Sequence, residues 1–315
     1  MVDPKRVGEP PLREFAERWG GSGSVVDIGG PIHWVEYGDT DNGSPPVVMV
    51  HGLGGSHLNW VRIAPTLAKR TRVVTVDLPG FGLSTAGRRQ AGVDANAKVL
   101  HRFLEDVIGT PAILMGNSMG GMISLFETAA HPKSVSGLVL VNPALPIGQR
   151  APDPQVALQF AMQFMPFVGE RYLRYSNRRM TDRQLVERVV NLCFADPSRA
   201  SEEVLDAATA LAGYRRGLPS QDAAFLQASR SLMLVLARPG RYQAAMQSVQ
   251  QPVLLIHGDK DRLVPVAAAR KAAAVNERWD SVILTDVGHT PQLEAPDTML
   301  DHVMTWVDKY GLIDV

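Results

Sequence analysis

The sequence predicts an α/β fold in which a mostly parallel sheet, flanked by helices, is interrupted by a helical insertion. Short apolar runs, typical of strands buried on both faces, alternate with stretches of helical spacing. Such alternation is the pattern of a parallel sheet with helices on its faces. It stops between about residues 145 and 250, where helical stretches follow one another without a good strand. We therefore expect this interval to form a helical cap over the ends of the strands.

The strands and helices of the sheet domain follow in order. Residues 24–28 (SVVDI) and 32–38 (IHWVEYG) are predicted to pair as an antiparallel hairpin at a sheet edge, because glycine and proline separate them. Further strands are predicted in PPVVMVHG, TRVVTVDLPG, PAILMGNS, VSGLVLVNPA, QPVLLIHGD and SVILTD. Helices are predicted in WVRIAPTLAKR, residues 91–108, MGGMISLFETAAHP, VPVAAARKAAAV and residues 296–310.

The chain is expected to divide into three parts. Residues 1–23 are an N-terminal extension in which Leu12–Trp19 has the pattern of a short amphipathic helix, residues 24–144 and 251–315 form the core, and residues 145–250 form the cap. Cap helices are predicted in PQVALQFAMQF, TDRQLVERVVNLCF, SEEVLDAATALAGY and QDAAFLQASRSLMLVLA.

The predicted cap is rich in methionine and phenylalanine. At helical spacing such residues are more often core residues than ligand contacts, but some are expected to line an apolar pocket that faces the sheet. These residues are Phe160, Met162, Phe164, Met165, Phe167, Phe225 and Met233.

Composition and charge exclude several classes of protein. The 315 residues suffice for one large domain or a domain with an insertion, and the 32 basic and 32 acidic residues balance, so nothing indicates a nucleic-acid partner. No apolar segment has the length of a membrane span or the pattern of a signal peptide. The single cysteine, Cys193, excludes an internal disulfide and favours a reducing, cytoplasmic location. Peripheral membrane contact through the N-terminal segment and the oligomeric state stay open.

The stretch Gly-Asn-Ser-Met-Gly, residues 116–120, joins a predicted buried strand to a predicted helix. It fits the pattern Gly-x-Ser-x-Gly, in which a sharp turn exposes the serine hydroxyl. The serine takes an unfavourable backbone conformation there, so the positions two before and two after it need minimal side chains. Ser118 is therefore the predicted nucleophile. The N–H of Met119 lies at a helix N-terminus, where negative charge is stabilised.

A serine hydroxyl needs a base, and the base needs an acid that orients it. Asp261, with Asp259 as its competitor, follows the strand QPVLLIHGD, and His289 follows the last predicted strand. An open α/β sheet places its crevice at the carboxyl ends of its strands, so Ser118, Asp261 and His289 are expected to meet there. Taken alone, Asp261 could be a helix N-terminal residue and His289 a loop residue; their order along the chain favours a triad.

The glycine-rich stretch HGLGG, residues 51–55, follows another buried strand. Its glycines allow backbone N–H groups to point into the crevice, and we expect the N–H groups of Leu53 and Met119 to form an oxyanion hole. No Lys-Ser/Thr follows, so a phosphate-binding loop is not supported. His57 and Asn59 are interpreted equally as substrate contacts, surface residues or capping residues. Cys193 is expected in a cap helix as a small apolar residue, not as a nucleophile.

Five segments together resemble the α/β-hydrolase superfamily in its form with a helical cap, over nearly the full length of the chain. They are HGLGG (51–55), DLPGFGLS (77–84), GNSMGG (116–121), HGDKD (257–261) and GHTPQLEAP (288–296). The resemblance implies an eight-stranded sheet with one antiparallel pairing, no cofactor or metal, a Ser118–His289–Asp261 triad and an oxyanion hole at Leu53 and Met119. It also implies a structural role for Asp77.

A serine at this position disfavours the haloalkane dehalogenases and epoxide hydrolases of the superfamily, which use an aspartate there. The apolar cap favours a carboxylic ester hydrolase acting on medium-chain or lipid-like acyl groups. GNSMGG also resembles the elbow of meta-cleavage carbon–carbon hydrolases, although Thr290 stands where those relatives carry a tryptophan. That alternative requires a carboxylate-binding arginine in the cap, with Arg178, Arg179, Arg183 and Arg188 as candidates. A non-catalytic, ligand-binding homologue is a third hypothesis, disfavoured by the intact Ser, Asp and His.

Overall fold

The computed structural model describes residue 15 and residues 17–38, 43–146, 153–218 and 221–313. In these ranges eight strands form one sheet, flanked by helices, which confirms the predicted fold class. The strands are β1 (Ser22–Asp27), β2 (Pro31–Tyr37), β3 (Val47–Val50), β4 (Val73–Val76), β5 (Ala112–Asn117), β6 (Val135–Val141), β7 (Val253–Gly258) and β8 (Asp280–Leu284). Their order across the sheet is β1-β2-β4-β3-β5-β6-β7-β8.

Among the described strands, β2 alone runs against the others. It pairs antiparallel with both β1 and β4, whereas the remaining pairs are parallel. The described sheet thus has two antiparallel pairings, and the single pairing implied by the resemblance is wrong. A reversed strand that lies inside a sheet reverses the pairing on both of its sides. The predicted hairpin is confirmed, with Val26 opposite Ile32.

Twelve α-helices of the described ranges lie between or after these strands. They are α1 (Ala64–Leu67), α2 (Val93–Phe103), α3 (Met119–Ala130), α4 (Pro154–Phe164), α5 (Val168–Arg179), α6 (Asp182–Cys193), α7 (Glu202–Arg216), α8 (Gln221–Leu236), α9 (Pro239–Ser248), α10 (Val266–Ala273), α11 (Pro291–Glu294) and α12 (Pro296–Tyr310). A π-helical turn, Leu104–Ile108, continues α2 to the end of the helix predicted there.

The sheet is buried on both faces because its central strands are apolar throughout. In β3, Val48 and Val50 belong to the core beneath α2, α3, α9 and α10, while Val47 and Met49 belong to the core beneath α1 and α12. Successive side chains of a strand alternate between faces, so a strand covered on both sides requires a continuous apolar run. This requirement made these strands predictable.

Helices α4 to α9 lie between β6 and β7, and we call them the inserted helices. Four of them match predicted cap helices, whereas α5 and α9 were not predicted. Helix α5 has Val168 and Leu173 as its aliphatic residues among charged and polar ones, so no apolar run marks it in the sequence. Helix α9 packs on α3, with the ring centroids of Tyr242 and Phe126 5.6 Å apart. The boundaries of a cap at residues 145 and 250 stay a prediction.

Two further expectations concern the N-terminal segment and membranes. Of the helix predicted over Leu12–Trp19, the described part shows one 3-10 turn, Glu17–Trp19, and most of the rest lies outside the described residues. In the described ranges, no helix combines the length and apolar character needed to cross a bilayer.

Candidate active site

Ser118 occupies the turn between β5 and α3. Its backbone angles, φ 54° and ψ −118°, are disfavoured for a residue with a side chain, so the turn is strained. The flanking glycines are required by close approach. A Cβ at Gly116 would lie 2.5 Å from the carbonyl oxygen of Gly120, and a Cβ at Gly120 would lie 2.2 Å from that of Val50. The predicted elbow is therefore present, and Ser118 lies on the wall of a cavity.

His289 and Asp261 form a buried hydrogen-bonded pair. Nδ1 of His289 lies 2.7 Å from Oδ2 of Asp261. An ionised carboxylate can only accept, so Nδ1 carries the proton and Nε2 of the neutral ring is left as an acceptor. The N–H groups of Leu263 and Val264 donate to Oδ1 of Asp261 at 2.8 and 2.9 Å, which fixes the carboxylate from its other side.

Asp261 stays ionised although it is buried. Burial alone would raise the pKa of its carboxyl group, but the electrostatic attraction and hydrogen bond between Asp261 and His289, with help from His257 and Asn142, outweigh that effect and hold the pKa below its usual value. The competitor Asp259 does not contact His289 in this way. Its Oδ1 accepts from the N–H of Asp286 at 2.7 Å, in the segment between β8 and His289.

Two asparagines, whose roles the sequence did not indicate, hold this pair against the sheet. Asn142 follows β6, and its Nδ2 donates to Oδ2 of Asp261 at 2.7 Å. Asn117 donates from Nδ2 to the carbonyl of His289 at 3.1 Å. Asn142 directly follows a buried strand, a position that it shares with many turn and capping residues and that does not by itself indicate this role. This hydrogen bond gives Asn117 a structural role that would be the same in an esterase and in a carbon–carbon hydrolase.

The stretch HGLGG forms a tight turn against Ser118. The carbonyl of Gly52 accepts an N–H from Gly55 at 3.1 Å, and Gly54 between them has φ 75°, which glycine adopts without strain. A Cβ at Gly52 would lie 3.0 Å from that of Ser118. Within the described residues, the N–H groups of Leu53 and Met119 donate hydrogen bonds to no group of the protein. Both are thus available as the predicted oxyanion donors.

His51 stabilises this turn, a role that the sequence did not indicate. Its Nε2 accepts from the N–H of Leu78 at 3.0 Å, so Nδ1 carries the proton and donates to the carbonyl of Gly52 at 2.7 Å. Burial lowers the pKa of His51 to about 4, against smaller opposing effects of Asp77 and Gly52. The ring is therefore neutral at neutral pH and keeps both hydrogen bonds.

Ser118 and His289 share the wall of a cavity of about 470 Å³. The other walls come from the HGLGG turn and the inserted helices, and most of their side chains are apolar. Among these are Val156, Phe160, Leu185, Val190, Leu205 and Phe225. A pocket of this size and character suits a small apolar ligand.

The methionines and phenylalanines predicted for the cap build little of this wall. Of the seven, only Phe160 and Phe225 line the cavity in the described part of the chain, whereas Phe164, Met165 and Phe167 are exposed. Leucines and valines form most of the apolar part of the wall instead. Helical spacing predicts that a helix has an apolar face, but not which neighbour that face meets.

The arginines at the cavity are not the predicted ones. As far as the described residues show, Arg215 and Arg216 line it. The candidates that do not line it are Arg178, Arg179, Arg183 and Arg188. Arg215 donates to two carbonyls of the segment DLPGFGLS at 2.7 Å each, and Arg216 pairs with Asp182.

Asp77 lies at the centre of a fully buried cluster. Its Oδ2 is 2.8 Å from Nδ1 of His33 and 2.9 Å from Nδ1 of His57. A Cβ at Gly82 would lie 2.0 Å from Cγ of Asp77, which explains this glycine of DLPGFGLS. The predicted structural role of Asp77 is confirmed, and the interpretation of His57 as a substrate contact or surface residue is wrong. Asn59 is a capping residue, whose Oδ1 accepts from the N–H of Ser56 at 2.8 Å.

Two clusters of described residues bring metal-ligating atoms within 4.8 Å of one another. The first is the cluster of Asp77, and the second consists of His101, Glu127 and His131. In each, a histidine nitrogen already lies within 2.9 Å of the carboxylate. None of these residues lines the cavity beside Ser118.

Glu294 connects the loop of His289 to the inserted helices, a link that the sequence did not indicate. Its buried carboxylate accepts from the N–H of Gly288 at 2.7 Å and from those of Ala195 and Asp196 at 2.9 Å each. Three main-chain donors thus share one side chain, so the segment after α6 and the loop of His289 are held at a fixed separation.

Cys193 ends α6, so its predicted position in a helix is confirmed. Its carbonyl accepts from the N–H of His289 at 2.5 Å. Burial, with the nearby carboxylates of Asp261 and Glu294, raises the pKa of its thiol to about 12, and a protonated thiol is a poor nucleophile. We call residues 193–196 the strap, since they are bonded to the loop of His289 through both Cys193 and Glu294.

Known proteins share this sequence pattern. The sequence model of one protein family, described as the alpha/beta hydrolase fold, matches residues 45–296 of this chain. The chain is 28% identical over 288 residues to the dihydrolipoyllysine-residue acetyltransferase component of the acetoin cleaving system of Pseudomonas putida, over 90% of this chain and 69% of that protein. It is 26% identical over 257 residues to the pimeloyl-acyl-carrier-protein methyl ester esterase of Edwardsiella ictaluri, over 81% of this chain and 90% of the esterase.

A solved structure shares the fold. The 2-hydroxy-6-oxo-6-phenylhexa-2,4-dienoate hydrolase of Rhodococcus sp. strain RHA1 superposes with a TM-score of 0.72 at 21% identity, over 91% of this chain and 100% of that one. The elbow, the His289–Asp261 pair and the HGLGG turn all fall within the residues that the family model matches. The chain therefore belongs to the alpha/beta hydrolase fold family.

Proposed function

We propose that this protein is a serine hydrolase that cleaves carboxylic esters with apolar, medium-chain or lipid-like acyl groups. The observation that supports it best is that Ser118 and a histidine oriented by Asp261 share one apolar cavity. The inserted helices would act as the cap of this cavity. An acyl chain that enters gains about 0.8 kcal/mol for each methylene removed from water, so apolar walls favour longer chains.

The proposed reaction is acyl transfer through an acyl-enzyme. Nε2 of His289 removes the proton of Ser118 while Oγ forms a bond to the ester carbonyl carbon. The N–H groups of Leu53 and Met119 donate to the oxyanion of the tetrahedral intermediate. When the intermediate collapses, the bond to the alcohol oxygen breaks and His289 returns the proton to that oxygen. Water, deprotonated by the same nitrogen, then attacks the acyl carbon. The bond from that carbon to Oγ breaks as His289 returns the proton to Oγ, which releases the carboxylic acid and restores Ser118.

Two further observations agree with this proposal. A relative named as a methyl ester esterase is 26% identical over most of both chains, which supports ester cleavage. The single cysteine, Cys193, supports a cytoplasmic location.

Covalent labelling tests the nucleophile. A fluorescent alkyl fluorophosphonate is expected to label the wild type and Ser124→Ala but not Ser118→Ala. Ser124 is the matched control because it is a buried serine of α3, the helix that follows Ser118, and lies outside the cavity. The kcat of Ser118→Ala for a p-nitrophenyl ester should fall by about 10⁴ or more. Undiminished labelling of Ser118→Ala would refute the assignment.

A series of p-nitrophenyl esters tests the substrate class. We expect kcat/KM to rise from the acetate to medium-chain esters, because each added methylene is buried against apolar walls. A profile that falls steadily from the acetate would contradict the expected preference for apolar chains.

Carbon–carbon hydrolysis is the second candidate function, favoured by the elbow GNSMGG and by Arg215 on the cavity wall. A dienoate ring-fission product, assayed beside the esters, separates the two. Turnover of the dienoate above that of every ester, lost in Arg215→Gln, would favour carbon–carbon cleavage. Tight binding of a small apolar ligand without turnover of either would indicate a non-catalytic homologue.

A further inference from the structure

The turn between α4 and α5 presents apolar side chains to solvent. Residues 164–168, which we call the apolar corner, are all exposed, and four of the five are large apolar residues. Phe167 is 83% exposed, Met165 46% and Phe164 44%. Contiguous exposed apolar side chains of this kind mark a surface that contacts another molecule.

The apolar corner is held in shape by its neighbours. Phe167 has φ 65°, a left-handed conformation that a phenylalanine adopts only when its surroundings impose it. Arg230 of α8 donates to the carbonyls of Gln163 and Phe164 at 3.2 Å each and to Glu170 at 2.9 Å. The backbone that carries the exposed rings is therefore held in place. The same arginine pairs with Glu170, the one acidic side chain of α5.

Cationic side chains continue this surface along α5. The arginine stripe consists of Arg171, Arg174, Arg178 and Arg179, all exposed. The first three follow Phe167 by four, seven and eleven residues, spacings that place them on one face of a helix, with Tyr175 exposed among them. Among the described residues, no carboxylate pairs with the stripe, whereas Arg183 on the next helix pairs with three.

The same two helices form part of the cavity wall with their inner faces. Phe160 of α4 and Leu173 of α5 line the cavity that contains Ser118. The apolar corner and the arginine stripe thus lie on the outer side of elements that enclose the candidate active site.

We propose that the apolar corner and the arginine stripe form a docking surface for an anionic lipid bilayer. Phenylalanine, methionine and valine side chains gain free energy at the boundary between headgroups and acyl chains, and adjacent arginines are attracted to anionic headgroups. A second copy of this chain fits less well, because pairing the apolar corners of two copies would bring their arginine stripes close together, and no described carboxylate pairs with the stripe. The purpose of docking rests on the proposed function, since the bilayer would supply the lipid-like ester. Binding to the bilayer can be measured without any hydrolysis.

Co-sedimentation with vesicles tests this surface. The full chain is mixed with vesicles of phosphatidylcholine, with or without phosphatidylglycerol, at low and high salt. The wild type is expected to bind the anionic vesicles, and to bind them less at high salt because added ions screen the arginines. Phe164→Ser/Phe167→Ser should bind at least about tenfold more weakly.

Two further variants complete the design. Arg171→Glu/Arg174→Glu should lose the preference for anionic vesicles. Tyr310→Ser changes an exposed aromatic residue at the end of α12 and should bind as the wild type does. Hydrolysis of a water-soluble short-chain ester and the circular dichroism spectrum should be unchanged in all variants, because none of these residues lines the cavity. If the phenylalanine variant fails to fold, the binding of the arginine variant to anionic vesicles still tests the proposal.

Absence of wild-type binding to anionic vesicles, or undiminished binding by the phenylalanine and arginine variants, would overturn the proposal. A concentration-dependent dimer that the phenylalanine variant loses, without vesicle binding, would overturn it as well and assign the corner to a second copy. Vesicle binding by a chain that hydrolyses no ester would support docking while refuting the proposed function.

Discussion

At the residue scale, hydrogen-bond partners decide the charge of each buried group around Ser118. His51 and Asp261 are both buried, yet one is neutral and the other ionised. His51 uses one ring nitrogen as a donor and the other as an acceptor, which only the neutral ring can do. Asp261 receives donors from His289, Asn142 and two main-chain N–H groups, which stabilise its negative charge.

The low pKa of His51 predicts a specific loss of stability in acid. The unfolded chain takes up this proton near pH 6.5, and the folded chain only near pH 4. Between these values the unfolded state binds more protons, so the free energy of unfolding falls as the pH falls. From about pH 7 to about pH 5 the wild type should lose about 2 kcal/mol more of this free energy than His51→Asn does. Urea unfolding followed by circular dichroism measures both, and identical pH dependences would contradict the prediction.

Ser118, Asp261 and His289 could be predicted because each follows an apolar strand, where an α/β chain places its functional loops. Asn142 and Glu294 could not. A polar residue after a strand or in a short helix is equally typical of a cap or a turn. Only the folded structure shows that Asn142 bonds a carboxylate 119 positions away.

At the element scale, the first turn of α3 lies directly against β3. A Cβ at Gly120 would lie 2.2 Å from the carbonyl oxygen of Val50 and 2.4 Å from that of His51. Both neighbours are backbone atoms, and β3 cannot move without disturbing its parallel pairing with β5. The glycine is thus required by the distance between a helix and a strand.

Gly120→Ala is therefore expected to destabilise the fold by about 2 to 3 kcal/mol and to lower kcat, because it pushes the elbow away from β3. Gly240→Ala is the matched control, since a Cβ at this position of α9 would meet nothing within 4 Å. The control should be unchanged or more stable by about 0.5 to 1 kcal/mol. Thermal unfolding compares the two, and equal stability would disprove the steric explanation.

Glu294→Gln tests the connection between the strap and the loop of His289. The amide offers one oxygen for main-chain donors on both sides, so at least one N–H would face an NH₂ group and lose its acceptor. Such a buried, unpaired donor lowers the free energy of unfolding by about 1 to 3 kcal/mol. We expect a lower melting temperature and a lower kcat, because Gly288 directly precedes His289, the proposed base. Glu277→Gln, at an exposed position, is the control. A variant with lowered stability but wild-type kcat would limit Glu294 to a purely structural role.

At the scale of the whole molecule, the cavity lies where the inserted helices meet the carboxyl edge of the sheet. The layers and the place of the insertion could be predicted, because both follow from the order of apolar strands. The wall could not, because the helix faces that turn inward depend on how α4 to α8 pack on one another. Val190 and Leu205 line the cavity although nothing in their spacing separates them from other helical valines and leucines.

The volume of the cavity makes acyl length a testable property. Val190→Trp adds side-chain volume inside a cavity of about 470 Å³, so the optimum in the p-nitrophenyl ester series should move to shorter chains. The kcat/KM for a medium-chain ester should fall about tenfold relative to that for the acetate, the effect of roughly two methylenes that no longer fit. An unchanged ratio would show that the acyl chain does not reach Val190.

The strap limits how the inserted helices can move relative to His289. Any movement of the inserted helices that displaced residues 193–196 would also displace His289, the proposed base, since its N–H donates to the carbonyl of Cys193. The side-chain bonds and ion pairs of α5, within the described ranges, stay among the inserted helices. We therefore expect the inserted helices to open the cavity at α5 while the strap stays in place, so that an opening movement leaves the position of His289 unchanged.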